Sequence, residues 1–171
     1  RLFSIDLDTL ADKHRVKISS DAVATIDLKN ASDSVTLALC EFLLPTHVFK
    51  QLCLSRSEFI LGPDGSYHEV RKLSSMGNGY TFECMSLILN AVVKELDPDG
   101  SVFGDDIIID KKQAPRLIEI LNAVGFIVNI DKSFIEGPFR ESCGGNYHDH
   151  EGYVESYDFH WPENIHDCVV I

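Results

Sequence analysis

Ser101-Val102-Phe103-Gly104-Asp105-Asp106-Ile107-Ile108-Ile109 sets two apolar, β-prone arms on either side of Gly-Asp-Asp. That pattern predicts a hairpin with both acids at its tip. Adjacent acids at an apolar tip repel each other and lose solvation, so they require a cation or a surface position. Upstream, residues 22–28 form a second short β-branched and apolar run that ends at Asp27 or just beyond it. If that strand lies beside the hairpin, Asp27, Asp105 and Asp106 bring together three carboxylates from distant parts of the chain. Hard oxygens suit Mg²⁺, which takes few protein ligands and completes its shell with substrate phosphates. Two such ions serve phosphoryl transfer. A lone Asp-Asp pair reads more simply as a solvated turn, so the weight rests on several features occurring in one order.

Between the two acidic segments the chain predicts helices over 34–44 and 46–54, with Ser34 as a cap and Pro45 as a stop. Gly62-Pro63-Asp64-Gly65 marks a turn between strands over 57–61 and 66–72. Ser74-Ser75-Met76-Gly77-Asn78-Gly79 is a glycine-rich loop that feeds a long helix over 80–96, and Asp97-Pro98-Asp99-Gly100 ends that helix. Leu117, Ile118, Leu121 and Val124 recur at helical spacing within 114–124, and Gly125 closes that helix. A strand follows over 126–130, then a turn between strands over 134–139. This order describes an α+β domain with a mainly antiparallel sheet flanked by helices.

The 171 residues, 44% apolar and 25% charged, suit one ordinary globular domain and exclude long disorder or a fibrous repeat. No apolar run approaches the 20 or so residues of a membrane-spanning helix. The formal charge of −12 speaks against a self-sufficient nucleic-acid clamp, since neutralising phosphates takes excess cations. It is compatible with carboxylates that hold divalent metal. Seven acids and no Lys or Arg lie after Arg140, so the tail supplies most of the imbalance. The five cysteines are odd in number and never spaced C-x-x-C, which favours reduced thiols. His148, His150, His160, His166, Cys143 and Cys168 lack the tight ligand pairs of a zinc site. The prenylation-like Cys168-Val169-Val170-Ile171 is read as coincidence.

Five stretches occur in a telling order: Ala24-Thr25-Ile26-Asp27-Leu28 with Ala31-Ser32-Asp33-Ser34; Ser75-Met76-Gly77-Asn78-Gly79-Tyr80-Thr81-Phe82-Glu83; Phe103-Gly104-Asp105-Asp106-Ile107-Ile108; Gly125-Phe126-Ile127-Val128-Asn129-Ile130-Asp131-Lys132; and Gly137-Pro138-Phe139-Arg140-Glu141-Ser142-Cys143-Gly144. Together they resemble the palm, motifs A to E, of the RNA-dependent RNA polymerases of leviviruses, the small positive-strand RNA bacteriophages. The resemblance covers residues 22–147. It implies two-metal nucleotidyl transfer for viral genome replication, with two Mg²⁺ ions, or Mn²⁺ in their place, on Asp27, Asp105 and Asp106. It places Asp33 near the incoming ribose, although charge compensation at a helix start suits Asp33 equally. Ser75, Gly77, Asn78 and Thr81 would contact template and nucleotide, and the glycines would admit close backbone approach. The wider polymerase pattern continues to an Asn where this chain has Met85. Lys132 would protonate the pyrophosphate leaving group, or simply pair with Asp131. Arg140 would touch backbone phosphate, or pair with Glu141 or Glu136, and Lys29 would meet triphosphate.

The implied division is an upstream segment at 1–21, a palm at 22–147 and an acidic, His-rich tail at 148–171 read as the start of a thumb, with fingers and thumb largely missing. Expected partners are RNA template and product, nucleoside triphosphates and, from the resemblance, bacterial host translation proteins in the host cytoplasm, with no membrane. A palm without its cationic neighbours is expected to bind RNA feebly and to polymerise slowly or not at all. The competing readings are a reverse transcriptase or DNA polymerase palm, a carboxylate-metal phosphodiesterase, and a non-catalytic acidic interaction module.

Overall fold

The computed structural model describes residues 6–75 and 77–155. Its centre is a three-stranded antiparallel sheet in the order β1 (Val23–Ile26), β6 (Asp106–Asp110), β5 (Ser101–Phe103). The Gly104-Asp105 link makes a two-residue hairpin in which Phe103 pairs with Asp106. Gly104 has φ +63° while Asp105 keeps negative φ, the pattern of a type II′ turn with glycine first. The central strand β6 is buried on both faces, as expected of a strand with a neighbour on each side and layers above and below.

One face of this sheet carries Ala24, Ile26, Ile107 and Ile109 into the main core. Against it lie α5 (Thr81–Leu96) and α6 (Ala114–Ala123). On α5 the apolar residues Met85, Ile88, Leu89, Val92, Val93 and Leu96 recur every three or four positions, so one stripe meets the sheet. The other face presents Val23 and Ile108, packed with Ile18 and Tyr147. A second antiparallel sheet, β8 (Phe139–Ser142), β9 (Gly145–His148) and β10 (Gly152–Val154), covers it.

The structure departs from the sequence reading in places with clear physical causes. The run over 22–28 divides at Asp27: β1 pairs with β6, whereas β2 (Leu28–Lys29) turns to pair with β7 (Ile127–Val128). The single helix expected over 34–44 is two helices, α2 (Ala31–Ser34) and α3 (Leu37–Leu43). Val35 adopts φ −75°, ψ 85° between them, and its carbonyl accepts the Leu73 N–H, so pairing with a neighbouring segment displaces helical bonds. Thr36 rather than Ser34 caps α3, its hydroxyl accepting the Leu39 N–H at 3.2 Å. The helix expected at 46–54 is α4 (Thr46–Cys53), and the Gly62–Gly65 turn joins β3 (Phe59–Leu61) to β4 (Tyr67–Glu69).

The segment over 1–21 contributes α1 (Leu7–Lys17), which packs on β5 rather than standing apart. Its His14 is buried and meets Ser142 of β8, with Nδ1 2.9 Å from the hydroxyl. The tail over 148–171 starts at the last residue of β9 and continues into β10, and His160, His166 and Cys168 lie outside the described residues. Cys40, Cys53, Cys84 and Cys143 are free thiols. Among the described residues no helix is long and apolar enough to cross a membrane.

Candidate functional site

Register places the acids side by side. The last registered pair of β1 and β6 is Ile26 with Ile107, so the chain leaves β1 at Asp27 just where β6 begins at Asp106. Side chains alternate along a strand, so Asp27 and Asp106 project from the face opposite Ile26 and Ile107 and their helices. Asp105 occupies the turn beside them. Three carboxylates from two segments far apart in sequence therefore share one end of one sheet.

Each strand acid is held by a specific donor. Asp27 Oδ2 accepts from Asn129 Nδ2 at 2.7 Å, and the Asp27 N–H donates to Ser133 Oγ at 3.1 Å. Asn129 N–H in turn donates to the Asp27 carbonyl at 2.9 Å. Asp106 Oδ2 accepts the backbone N–H of Cys143 at 3.1 Å. Cys143 sits in the two-residue loop between β8 and β9 with φ +52°, an uncommon conformation for a side-chain-bearing residue. Burial pushes the Asp106 carboxyl above the ordinary Asp range, and the charges of Asp105 and Asp27 push the same way. The Cys143 N–H pulls against them without winning. Burial and the Asp106 charge drive the Cys143 thiol up to about 11.

The turn has its own supports. Gly104 N–H donates to Ser86 Oγ on α5 at 2.9 Å, and a Cβ on Gly104 would lie 2.4 Å from the Phe82 ring. Phe82 meets Phe103 edge-on at 4.9 Å between centroids. Sequence reasoning gives no supporting role at the carboxylates to Ser86, Asn129, Ser133 or Cys143. Asn129 and Cys143 stand inside recognisable motifs, but Ser86 gives no local signal at all.

Asp105 borders an open cleft of about 880 Å³ that Asp33, Lys72, Ser75, Gly77 and Thr81 also line. Asp27 and Asp106 lie outside its walls. Lys72 Nζ donates to Asp33 Oδ1 of α2 at 2.5 Å, a contact between residues 39 positions apart. Thr81 is buried, and its hydroxyl donates to the Ser75 carbonyl at 2.7 Å, so it braces the loop rather than facing the cleft as a free donor. Asn78 faces a neighbouring concavity instead. Met76 is outside the described residues.

Two expectations change on the tertiary structure. Arg140 is 1% exposed, its Nε donates to the Ile18 carbonyl at 2.7 Å, and a terminal nitrogen binds Asp149. Its guanidinium lies 5.6 Å from the Tyr147 ring centroid. Buried and so held, Arg140 ties β8 to the segment after α1 and is not available to a phosphate; its acidic partner is Asp149, not Glu136 or Glu141. Asp131 pairs with Lys29 at 4.0 Å, not with Lys132. Lys132 is exposed on the 3₁₀ turn Ile130–Lys132, which directly follows Asn129.

Among the described residues no three His, Cys, Asp or Glu side chains are gathered tightly enough to ligate one ion as they stand. The donor chemistry nevertheless suits a hard divalent cation: carboxylate oxygens alone, one of them on an acid destabilised by burial and by like charge.

A family described as RNA replicase, beta-chain, matches residues 1–154. The RNA-directed RNA polymerase subunit beta of Escherichia virus Qbeta is 47% identical over 158 residues, which cover 86% of this chain and 27% of that protein. The corresponding subunit of Enterobacteria phage SP is 43% identical over 86% of this chain and 27% of its own length. The beta chain from Escherichia phage MS2 is 40% identical over 74% of this chain and 24% of its own. The chain thus spans about a quarter of the length of these relatives. A solved foamy viral protease-reverse transcriptase shares the fold at TM-score 0.54 and 17% identity, over 78% of this chain and 17% of that one.

Proposed function

Because this chain belongs to the RNA replicase beta-chain family, we propose that it carries the catalytic palm of an RNA-directed RNA polymerase. The observation that carries this reading is the register of β1 on β6, which sets Asp27 beside Asp106 and the Asp105 turn. In this reading Asp27, Asp105 and Asp106 hold two Mg²⁺ ions. When bound, the ions supply a lowered pKa for the attacking 3′-hydroxyl and charge stabilisation for the leaving pyrophosphate.

The chain's own groups do the positioning. Asn129 and the Cys143 N–H each engage one carboxylate oxygen, on Asp27 and Asp106, which leaves the other oxygen of each acid for ligation. Such fixed groups need no reorganisation as charge develops, which is where electrostatic catalysis gains most. Asp33, held by Lys72 at the cleft, is the group placed to meet the ribose of a nucleoside triphosphate. Ser75 and Gly77 border the same space and offer backbone to the nucleotide or template. Lys132, exposed next to the Asp27 support, is free to give a proton to pyrophosphate.

Mn²⁺ titration of the chain followed by electron paramagnetic resonance tests the reading. The unsubstituted chain is expected to take up Mn²⁺, and Asp27→Asn and Asp105→Asn to lose tenfold or more in affinity. Equal Mn²⁺ binding by all three proteins would refute it.

A further inference from the structure

Three of the chain's few cations converge on a second concavity, about 430 Å³, beside the cleft that Asp105 borders. Arg56, Arg71 and Lys72 line it together with Ser74, Glu69 and Ile60. In a chain of formal charge −12 such a convergence is not background. Two donors at this wall are buried with no acceptor among the described residues, Arg56 Nε and the hydroxyl of Ser74, which is 4% exposed. Arg56 also donates to the Val70 carbonyl, which fixes its position. The Arg71 pair with Glu69 is long, 3.5 Å, and solvent-exposed, so it is easily exchanged for a stronger anion.

Asp33, Lys72 and Ser75 border both spaces; Asp105 borders only the first, and Arg56 and Arg71 only the second. A phosphate seated by the two arginines therefore lies across the Asp33–Lys72 pair from the carboxylate end. The triphosphate of a nucleotide has to lie at the carboxylate end. A continuous strand can occupy both.

We propose that the Arg56–Arg71–Lys72 concavity seats a backbone phosphate of single-stranded RNA that runs on from the cleft. This rests on the cleft being a polymerase site. Guanidinium groups suit the role because they bind phosphate oxygens in a fork while keeping their charge at any working pH.

The test is fluorescence anisotropy of a labelled RNA oligonucleotide on the chain at low salt. Arg71→Gln is the primary variant, since the Arg71 side chain is exposed and its ion pair is the long one with Glu69, while its backbone bond to Leu37 survives the substitution; Arg56→Gln is the second, with its unfolding midpoint checked. Each is expected to weaken RNA binding about three- to tenfold and to flatten the log–log salt slope by about 0.7. Unchanged affinity and slope in both variants, or no RNA binding by the unsubstituted chain, would overturn the proposal. Loss of tripolyphosphate binding with RNA binding intact would overturn the assignment to a strand and give the site to the nucleotide. Mn²⁺ uptake separates the two readings. If Asp105→Asn leaves Mn²⁺ binding intact while Arg71→Gln weakens RNA binding, the catalytic reading fails and what stands is an RNA-binding groove without a place in a polymerase site. The reverse result removes the groove alone.

Discussion

Replacing Gly104 by Ala probes the turn on which the acidic site is built. Two separable penalties act at this position. Gly104 has φ +63°, where an L-residue is disfavoured by about 1–2 kcal/mol. The new Cβ would also lie 2.4 Å from Phe82 Cε2 and within 3.2 Å of two further ring atoms. Phe82 is 37% exposed and can swing outward, but only by giving up its edge-on contact with Phe103. Aromatic pairs of this kind contribute about 0.5–1.5 kcal/mol. The total expected loss is about 1.5–3.5 kcal/mol, read from urea unfolding. Gly65→Ala is the control: Gly65 has φ +79° and a Cβ there would meet nothing within 4 Å, so only the backbone penalty applies. In a Phe82→Ala background, Gly104→Ala should fall back to that same backbone penalty. The reasoning fails if Gly104→Ala is no worse than Gly65→Ala, or if removing the Phe82 ring leaves its effect unchanged.

Other perturbations test the supports of the site. Burial holds the His14 imidazole down to about 4 from an ordinary 6.5, so the unfolded chain binds the proton first as pH falls. Stability from this group is present above pH 6.5 and lost on acidification towards pH 4; between pH 7 and 5 the loss is about 2 kcal/mol, measured as the difference between the unsubstituted chain and His14→Gln in urea titrations. Asn129→Ala removes the donor to Asp27 Oδ2 and is expected to lower stability by about 1–2 kcal/mol and to weaken Mn²⁺ binding. At Cys143, φ +52°, a β-branched Val should cost about 1–2 kcal/mol, whereas Gly should leave stability equal or higher. The Gly variant keeps the N–H to Asp106, so its Mn²⁺ affinity should stay unchanged.

Much of the fold was legible because the relevant forces act within a few residues. Alternating and helical apolar periods mark β5, β6, α5 and α6, and Gly-Pro-Asp-Gly marks the β3–β4 turn. The boundaries that failed did so where a distant segment competed. Val35 and Leu37 exchange backbone bonds with Leu73 and Arg71, which divides the expected helix. Asp27 ends one strand and precedes another because β6 and β7 claim the chain on either side of it. Arg140 looked like a phosphate ligand because its burial depends on Ile18 and Asp149, neither of which its own neighbours announce.

By itself, the order of residues settled which chemistry is on offer: hard oxygen donors at a glycine turn, a second acid closing a short apolar strand, and a glycine-rich loop before a long helix. Local sterics and polarity dictate these, and they need no partner. Whether the acids meet was decided only when β6 took the centre of the sheet, with β1 on one side and β5 on the other. Register transmits position across more than 70 residues, and burial between two layers then raises the Asp106 carboxyl above the ordinary Asp range. Which cations the packed interior claims was settled the same way: Arg140 is buried, whereas the Arg71 side chain stays exposed.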